Sequence, residues 1–135
     1  MTYATAITSL AALLAANTSA KTVHQDPPES LPQFPCWVLG WARGNGIWVS
    51  IGLTEESTTL MAVLYLSRQI LPISNASIRT YIQEFRDMIA ANRTVSGAFF
   101  AVDNWAWEGP VAITYGDKIL LGIRFEITGR LVTDP

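Results

Sequence analysis

A chain of 135 residues with a formal net charge of −2 is long enough to form one domain with its own hydrophobic core. Half of the residues are apolar and only 15% are charged, which is little solvating surface for a small monomer and indicates that copies of the chain associate. The acidic balance argues against sequence-independent binding to phosphates, and the single cysteine, Cys36, excludes an intrachain disulfide and a cysteine-based zinc site.

The first 35 residues predict a helix followed by an extended arm. Residues Thr2–Asn17 are rich in alanine, which favours a helix with a narrow apolar face. Its larger apolar side chains are Ile7, Leu10, Leu13 and Leu14. No positive charge precedes Lys21, which argues against a secretory signal. Four prolines between Lys21 and Pro35 exclude a helix or a central strand and predict a rigid extended arm at about residues 21–35.

Two short strands and then a longer one are predicted next. Cys36–Trp41 and Ile47–Ile51 are apolar, and the segment Arg43-Gly44-Asn45-Gly46 between them offers residues that tolerate a tight turn. Alternation places Trp37, Leu39 and Trp41 on one side of the first strand. Thr58–Leu66 is apolar at odd and even positions alike, which predicts a strand covered on both faces.

Residues Asn75–Arg93 have the spacing of an amphipathic helix. Apolar side chains recur every three or four positions, and polar ones occupy the opposite side. The apolar set is Ile78, Tyr81, Ile82, Phe85, Met88 and Ile89. Ser74 or Asn75 could cap the free amides of the first turn. We therefore expect one face of this helix to be buried against a sheet.

The last third of the chain predicts an aromatic loop followed by a hairpin. Ala98–Trp107 has no regular alternation and is interpreted as irregular. Val111, Ile113 and Tyr115 alternate into a turn at Gly116-Asp117. Lys118–Leu131 then alternates strictly between apolar and mostly polar side chains, which is typical of a long strand with one buried face. The apolar stripe is Ile119, Leu121, Ile123, Phe125, Ile127 and Leu131.

These elements predict a single α+β domain over residues 1–135. Its mainly antiparallel sheet would have four to five strands, with the long helix and the N-terminal helix packed on one face. The polar face of the last strand carries Arg124, Glu126 and Arg130 in one line. Alternating charges can pair with a second copy of the chain, but an exposed ion pair contributes only ~0–1 kcal/mol. We expect these charges to fix the register of a contact between copies more than to strengthen it.

Candidate catalytic groups are few. His24, the one histidine, lies in the arm without evident partners for a catalytic triad or a metal site. Glu55-Glu56 and the pair Glu84 and Asp87 are neighbouring carboxylates, but neither pair has the apolar setting that would separate their pKa values. The sequence therefore predicts no enzyme activity, no cofactor and no metal.

Five tryptophans are many for a chain of this length. Trp105 and Trp107 fall in the predicted loop, where exposed aromatic side chains mark contact with a partner. They could equally cover the end of the core, since tryptophan is seldom wholly exposed. A small carbohydrate-binding module that uses Trp37, Trp41, Trp105 and Trp107 is an alternative function from a different class.

The order of elements resembles the tail-terminator proteins of long-tailed bacteriophages. The matching features are the short N-terminal helix and the stretch Leu31-Pro-Gln-Phe-Pro-Cys-Trp-Val-Leu-Gly that leads into a hairpin. A strand followed by the helix Ile78–Ile89 also matches, as does the closing stretch Gly116-Asp-Lys-Ile-Leu-Leu-Gly-Ile-Arg-Phe-Glu-Ile. The resemblance covers nearly the whole chain.

The resemblance implies a structural role without catalytic residues. It implies a hexameric ring that caps the tail tube, stops tube elongation and offers a docking face to the head-completion or connector protein. Such a protein would be assembled in the host cytoplasm and reside in the virion at the head–tail junction. No apolar run approaches membrane-spanning length. Another neck component, such as a head-closure protein, is an alternative of the same class.

Ring closure needs two different surface patches on each subunit. The candidates are Arg124, Glu126 and Arg130 on the polar strand face, and Trp105 and Trp107 beside it. Double-stranded DNA would pass through the ring without specific binding, because a bore rich in lysine would hold phosphates and slow transit. We therefore expect acidic or neutral groups in the lumen. Glu55, Glu56 and Asp103, on predicted loops, are the candidates.

Overall fold

A computed structural model describes residues 3–29, 31, 33–50, 53–67, 75–95 and 101–133. Within these ranges the chain forms two helices and five strands. The helices are α1 (Tyr3–Asn17) and α2 (Asn75–Ala91). The strands are β1 (Thr22–His24), β2 (Cys36–Ser50), β3 (Leu53–Ser67), β4 (Ala101–Tyr115) and β5 (Lys118–Thr133).

The five strands form one mixed sheet in the order β1-β2-β3-β5-β4. β1 runs parallel to β2, and the other three pairings are antiparallel. The predicted α+β class is therefore confirmed, and the sheet has one parallel pairing that the sequence did not indicate. That pairing is limited to Thr22–His24, because the prolines of the arm follow and a proline cannot donate a hydrogen bond to a strand ladder.

The predicted turn at Arg43-Gly44-Asn45-Gly46 is wrong. β2 continues through these residues, with Gly44 opposite Thr58 and Gly46 opposite Glu56. A turn at this point would leave the first residues of β3 without a partner, whereas the continuous ladder pairs β2 with β3 as far as Ser50 and Leu53. Pairing over this length outweighs the preference of glycine for turns.

The predicted irregular segment Ala98–Trp107 is also wrong where the structure describes it. β4 begins at Ala101, so Trp105 and Trp107 lie in a strand and not in a loop. Residues 96–100 lie outside the described residues. Two bulges, between Val102 and Asn104 and between Glu108 and Val111, interrupt the pairing with β5. Each bulge shifts the alternation of the side chains, which hides the strand from a search for a period of two.

The predicted terminal hairpin is confirmed. β4 and β5 meet at Gly116-Asp117, where Gly116 has the positive φ of 63° that the turn requires. The apolar stripe of β5 is buried at Leu121, Ile123, Phe125 and Ile127. Ile119 is an exception with 56% of its surface exposed. The side chain of Leu131 lies outside the described residues.

One buried cluster combines side chains from both helices with one face of the sheet, called the first face here. The sheet contributes Trp37, Leu39, Leu60, Leu64, Ile123, Phe125 and Ile127, and the helices contribute Leu10, Leu14, Phe85, Met88 and Ile89. Phe85 of α2 stacks on Phe125 of β5 with ring centroids 4.4 Å apart. The apolar spacing of residues 75–93 thus predicted the buried side chains of α2. The proposed cap residue Ser74 lies outside the described residues.

A second buried cluster lies on the opposite face of the sheet, called the second face, where the arm covers it. Leu31 and Phe34 of the arm pack with residues of four strands, namely Cys36, Val38, Val63, Tyr65, Ile113, Tyr115 and Leu120. The amide of Lys21 donates to the carbonyl of Pro35 over 2.8 Å, and the Tyr115 hydroxyl donates to the carbonyl of Pro28. The first bond joins the two ends of the arm to each other, and the second ties the middle of the arm to β4.

Candidate subunit interface

The charged residues predicted on β5 form ion pairs within the subunit. The Arg43 guanidinium reaches across β3 to Glu126 over 3.1 Å, and Arg130 lies 3.4 Å from Asp103 of β4. The Arg43 side chain is 66% exposed and that of Glu126 is 32% exposed, so water screens the pair. These contacts tie three strands together, and Arg43 keeps donor groups available to a further carboxylate.

The second face beyond the arm is polar and nearly charge-balanced. Arg124 pairs in register with Glu108, and Glu126 follows on the same face of β5. The hydroxyls of Thr59 and Thr128 are hydrogen-bonded over 2.8 Å beside them. Six charged residues of this surface have described side chains, namely Arg43, Arg124 and Arg130, and Asp103, Glu108 and Glu126. Equal numbers of each sign would give a passing polyanion little net attraction.

The tryptophans occupy different environments. Trp37 is buried, packs against Phe125 with ring centroids 5.3 Å apart, and donates its indole N–H to the Thr18 hydroxyl. Trp105 is half-buried with its ring centroid 5.9 Å from that of Phe85. Trp41 and Trp107 are 46% and 48% exposed. The four therefore do not line one carbohydrate platform, because Trp37 belongs to the core.

Trp41 and Trp107 lie at opposite edges of the four long strands. Trp107 is opposite Phe125 and Trp41 is opposite Leu60, so both belong to the first face. β4 is the last strand on one side. On the other side β1 pairs only with Cys36–Val38, so no described strand pairs with the outer edge of β2 from Leu39 to Ser50.

A shallow recess of about 660 Å³ lies beside Trp41 at this edge. Gly44 and Gly46 line it without side chains, and its other lining residues are Trp41, Ala42, Arg43, Asn45, Glu56 and Thr58. The Oε2 atom of Glu56 is buried and has no hydrogen-bond partner within the described residues. Both glycines were predicted to lie in a turn, whereas they lie within β2. Their spacing of two residues was the available signal.

The three proposed lumen residues lie in strands rather than on loops. Glu55 and Glu56 belong to β3, and Asp103 lies in the first bulge of β4. Glu56 lines the recess beside Trp41, whereas Asp103 pairs with Arg130. The side chain of Glu55 lies outside the described residues. The structure therefore does not bring the three carboxylates together where it describes them.

The other titratable candidates are dispersed. The His24 ring lies 3.3 Å from the Thr22 hydroxyl in the short edge strand. Glu84 accepts a hydrogen bond from Ser19, and Asp87 pairs with Arg86 on the exposed side of α2. The described ranges contain no group of three or more histidine, cysteine or acidic residues that could hold a metal ion. None of the described helices has the length and apolar character to cross a membrane.

Burial perturbs two kinds of acidic group on the second face. Desolvation raises the pKa of the Cys36 thiol from 9.0 to about 11, although a hydrogen bond with Thr22 opposes the shift. Desolvation also raises the pKa values of Tyr65 and Tyr115, whose rings meet edge to face. A thiol that stays protonated at neutral pH is a poor nucleophile, so Cys36 acts as a small apolar core residue.

Comparison with models of protein families and with curated proteins finds no match to this chain.

Proposed function

We propose that the chain is a structural protein of a phage tail that forms a ring on the tail tube, stops its elongation and joins it to the head connector. The observation that carries the proposal is a run of four long strands whose two outer edges are open in the described chain, along β4 on one side and along β2 from Leu39 to Ser50 on the other. An exposed sheet edge presents unpaired backbone groups that can pair with another chain. A protein with two such edges is suited to join copies of itself head to tail.

The directions of the strands support this mode of assembly. β2, β3, β5 and β4 alternate in direction, so the two outer strands β2 and β4 run in opposite directions. Rotation about a ring axis keeps the direction of each strand along that axis. β4 of one copy would therefore lie antiparallel to β2 of the next, and the sheets would continue from subunit to subunit. The contact is heterologous, which is the type that closes into rings.

The number and length of the strands set the size of a ring of six copies. β2, β3 and β4 have 15 residues each and β5 has 16. Four strands from each of six copies, spaced about 4.8 Å apart, would form a cylinder at least about 37 Å across between strand axes, and tilt of the strands widens it. The charge-balanced second face would line its bore, and both helices would cover the outer face. DNA would pass through this bore without being held.

This arrangement refines the roles of the candidate residues. Arg124, Glu126, Arg130 and Asp103 would face the bore as paired charges. Trp105 and Trp107 would lie at the β4 edge, where copies meet. Glu56 would lie at the outer face near the same contact. Another neck component of the virion would use the same two edges, so binding to isolated tail tubes separates the two functions.

Native mass spectrometry across a range of protein concentrations, followed by electron microscopy, tests the proposal. We expect one ring stoichiometry and particles with a central hole. Mixing the rings with growing tail tubes should shorten the tubes if the chain is a terminator. A chain that remains monomeric at high concentration would contradict the proposed assembly.

A further inference from the structure

We infer the register of the contact between copies: β4 of one copy pairs with β2 of the next so that Trp107 lies opposite Gly44 and fills the recess beside Trp41. This inference rests on the proposed ring and specifies which residues hold it together. It follows from the bulges, the glycine positions and the charges of the two strand edges.

The bulges limit which parts of the two edges can pair regularly. In β4 the regular ladder between its two bulges covers Asn104–Glu108. In β2 it covers Arg43–Trp48, between the bulges at Ala42 and Val49. A bulge disrupts pairing and bends the strand. The two regular stretches, of five and six residues, are therefore the parts that can form an undisturbed ladder with each other.

The spacing of the tryptophans matches the spacing of the glycines. Trp105 and Trp107 lie two residues apart on the first face of β4, and Gly44 and Gly46 lie two residues apart on the first face of β2. In one antiparallel register Trp107 is opposite Gly44 and Trp105 is opposite Gly46. An aromatic ring laid over a glycine on the neighbouring strand covers exposed backbone and fixes register.

The same register brings opposite charges together on the second face. It places Glu108 of one copy opposite Arg43 of the next. Arg43 already contacts Glu126 of its own chain, and its guanidinium has five N–H donors and 66% exposure. Ala106 is placed opposite Asn45, two small exposed residues without conflict. Aromatic packing on one face and charge pairing on the other thus select the same alignment.

Other registers either separate the tryptophans from the glycines or set a paired residue against a bulge. A shift by one residue would place the tryptophans and the glycines on opposite faces of the joined sheet. A shift by two residues in one direction would set Trp107 against the bulge at Ala42. In the other direction it would set Asn104 against the bulge at Val49. Among the alignments that keep the tryptophans and the glycines on the same face, only this one keeps all five residues of Asn104–Glu108 on regular strand.

Paired cysteines test this register directly. Residues opposite each other in an antiparallel ladder have Cα atoms about 4.5–5.5 Å apart, which a disulfide spans. We expect the double variant Asn45→Cys with Ala106→Cys to form a ladder of disulfide-linked oligomers after mild oxidation. Within one chain the two positions are three strand spacings apart, about 14 Å, so an internal disulfide cannot form. Cys36 is buried and does not compete.

Three control proteins are matched to this variant. Each single variant should remain uncrosslinked, because a head-to-tail contact does not bring equal positions together. Asn45→Cys with Ala112→Cys uses another exposed alanine of β4 beyond the second bulge and should remain uncrosslinked as well. Rings without a ladder in the main variant, or a ladder from a single variant, would overturn the register while leaving ring assembly intact.

Truncation of Trp107 tests how much its ring contributes to the stability of the contact between copies. Trp107→Ala should raise the protein concentration needed for assembly at least about tenfold, since buried tryptophans dominate interfaces. Ile119→Ala removes a comparably exposed apolar side chain at the far end of the sheet and should not change it. Unchanged assembly in Trp107→Ala would refute the inference. Binding of a carbohydrate in the recess would not rescue it. A chain that never assembles would refute both this inference and the proposed function.

Discussion

Replacement of Phe85 by alanine tests the contact that joins helix α2 to the sheet. The Phe85 side chain has no exposed surface, and its ring lies 4.4 Å from Phe125 and 5.9 Å from both Trp37 and Trp105. Its neighbours belong to three different strands, so they cannot collapse together into the space that the ring leaves. The expected loss in unfolding free energy is therefore about 4 kcal/mol, in the range for phenylalanine truncated in a core.

Urea unfolding followed by tryptophan fluorescence measures this loss. Trp37 and Trp105 flank the substituted ring, so their emission reports on this part of the core. With a slope of about 1.5–2 kcal/mol per molar urea, the midpoint should fall by about 2–3 M. Both proteins must be compared at one concentration, because association adds to apparent stability.

Gln83→Ala is the control on the same helix. Gln83 is exposed, so its replacement should change stability by no more than about 0.5 kcal/mol. A loss below about 1.5 kcal/mol in Phe85→Ala, or equal losses in both variants, would refute the packing of α2 on β5. An intermediate effect in Gln83→Ala would indicate that the helix itself, rather than its buried face, limits stability.

Three further predictions concern the edge, the buried thiol and the arm. Glu108→Lys should weaken assembly because it places a positive charge opposite Arg43, and the repulsion should be stronger at low salt. Sedimentation at two ionic strengths measures assembly of this variant, and equal assembly at both would contradict the prediction. The raised pKa of Cys36 means that the unfolded chain loses its thiol proton first, so the contribution of Cys36 to stability should be constant below pH 9 and fall towards pH 11. Cys36→Ala should reduce the fall in stability over this range, and an unchanged pH profile would refute the prediction. Tyr115→Phe removes the hydrogen bond to Pro28, so it should lower the free energy of unfolding by about 1 kcal/mol and speed tryptic cleavage at Lys21. An unchanged cleavage rate would show that other contacts hold the arm.

The elements that could be predicted are those in which the buried residues recur at the regular spacing of a helix or a strand. β5 alternates over its whole length, and α2 repeats every three or four residues, because each has one face in a single core. A side chain such as Phe125 or Phe85 could therefore be assigned to the core from its place in a pattern. No knowledge of the partner element was needed for that step.

The candidate interface could be predicted only in part. Trp107 and the charges of β5 were found from residue type, since exposed aromatic and alternating charged side chains are unusual in a plain surface. Gly44 and Gly46 were assigned to a turn, and Trp105 and Trp107 to a loop. Their places depend on how far β2 pairs with β3 and β4 with β5, which involves residues distant in the chain.

The amino-acid sequence by itself determined the α+β class, both helices and the terminal hairpin, because these depend on residue type and local period. The tertiary structure alone decided that four strands are long, that bulges bound their regular stretches, and that the edges of β4 and of β2 beyond Val38 are uncovered in the described chain. The physical reason is that strand length and register are set by hydrogen bonds between distant segments. A short sequence pattern contains no record of those partners.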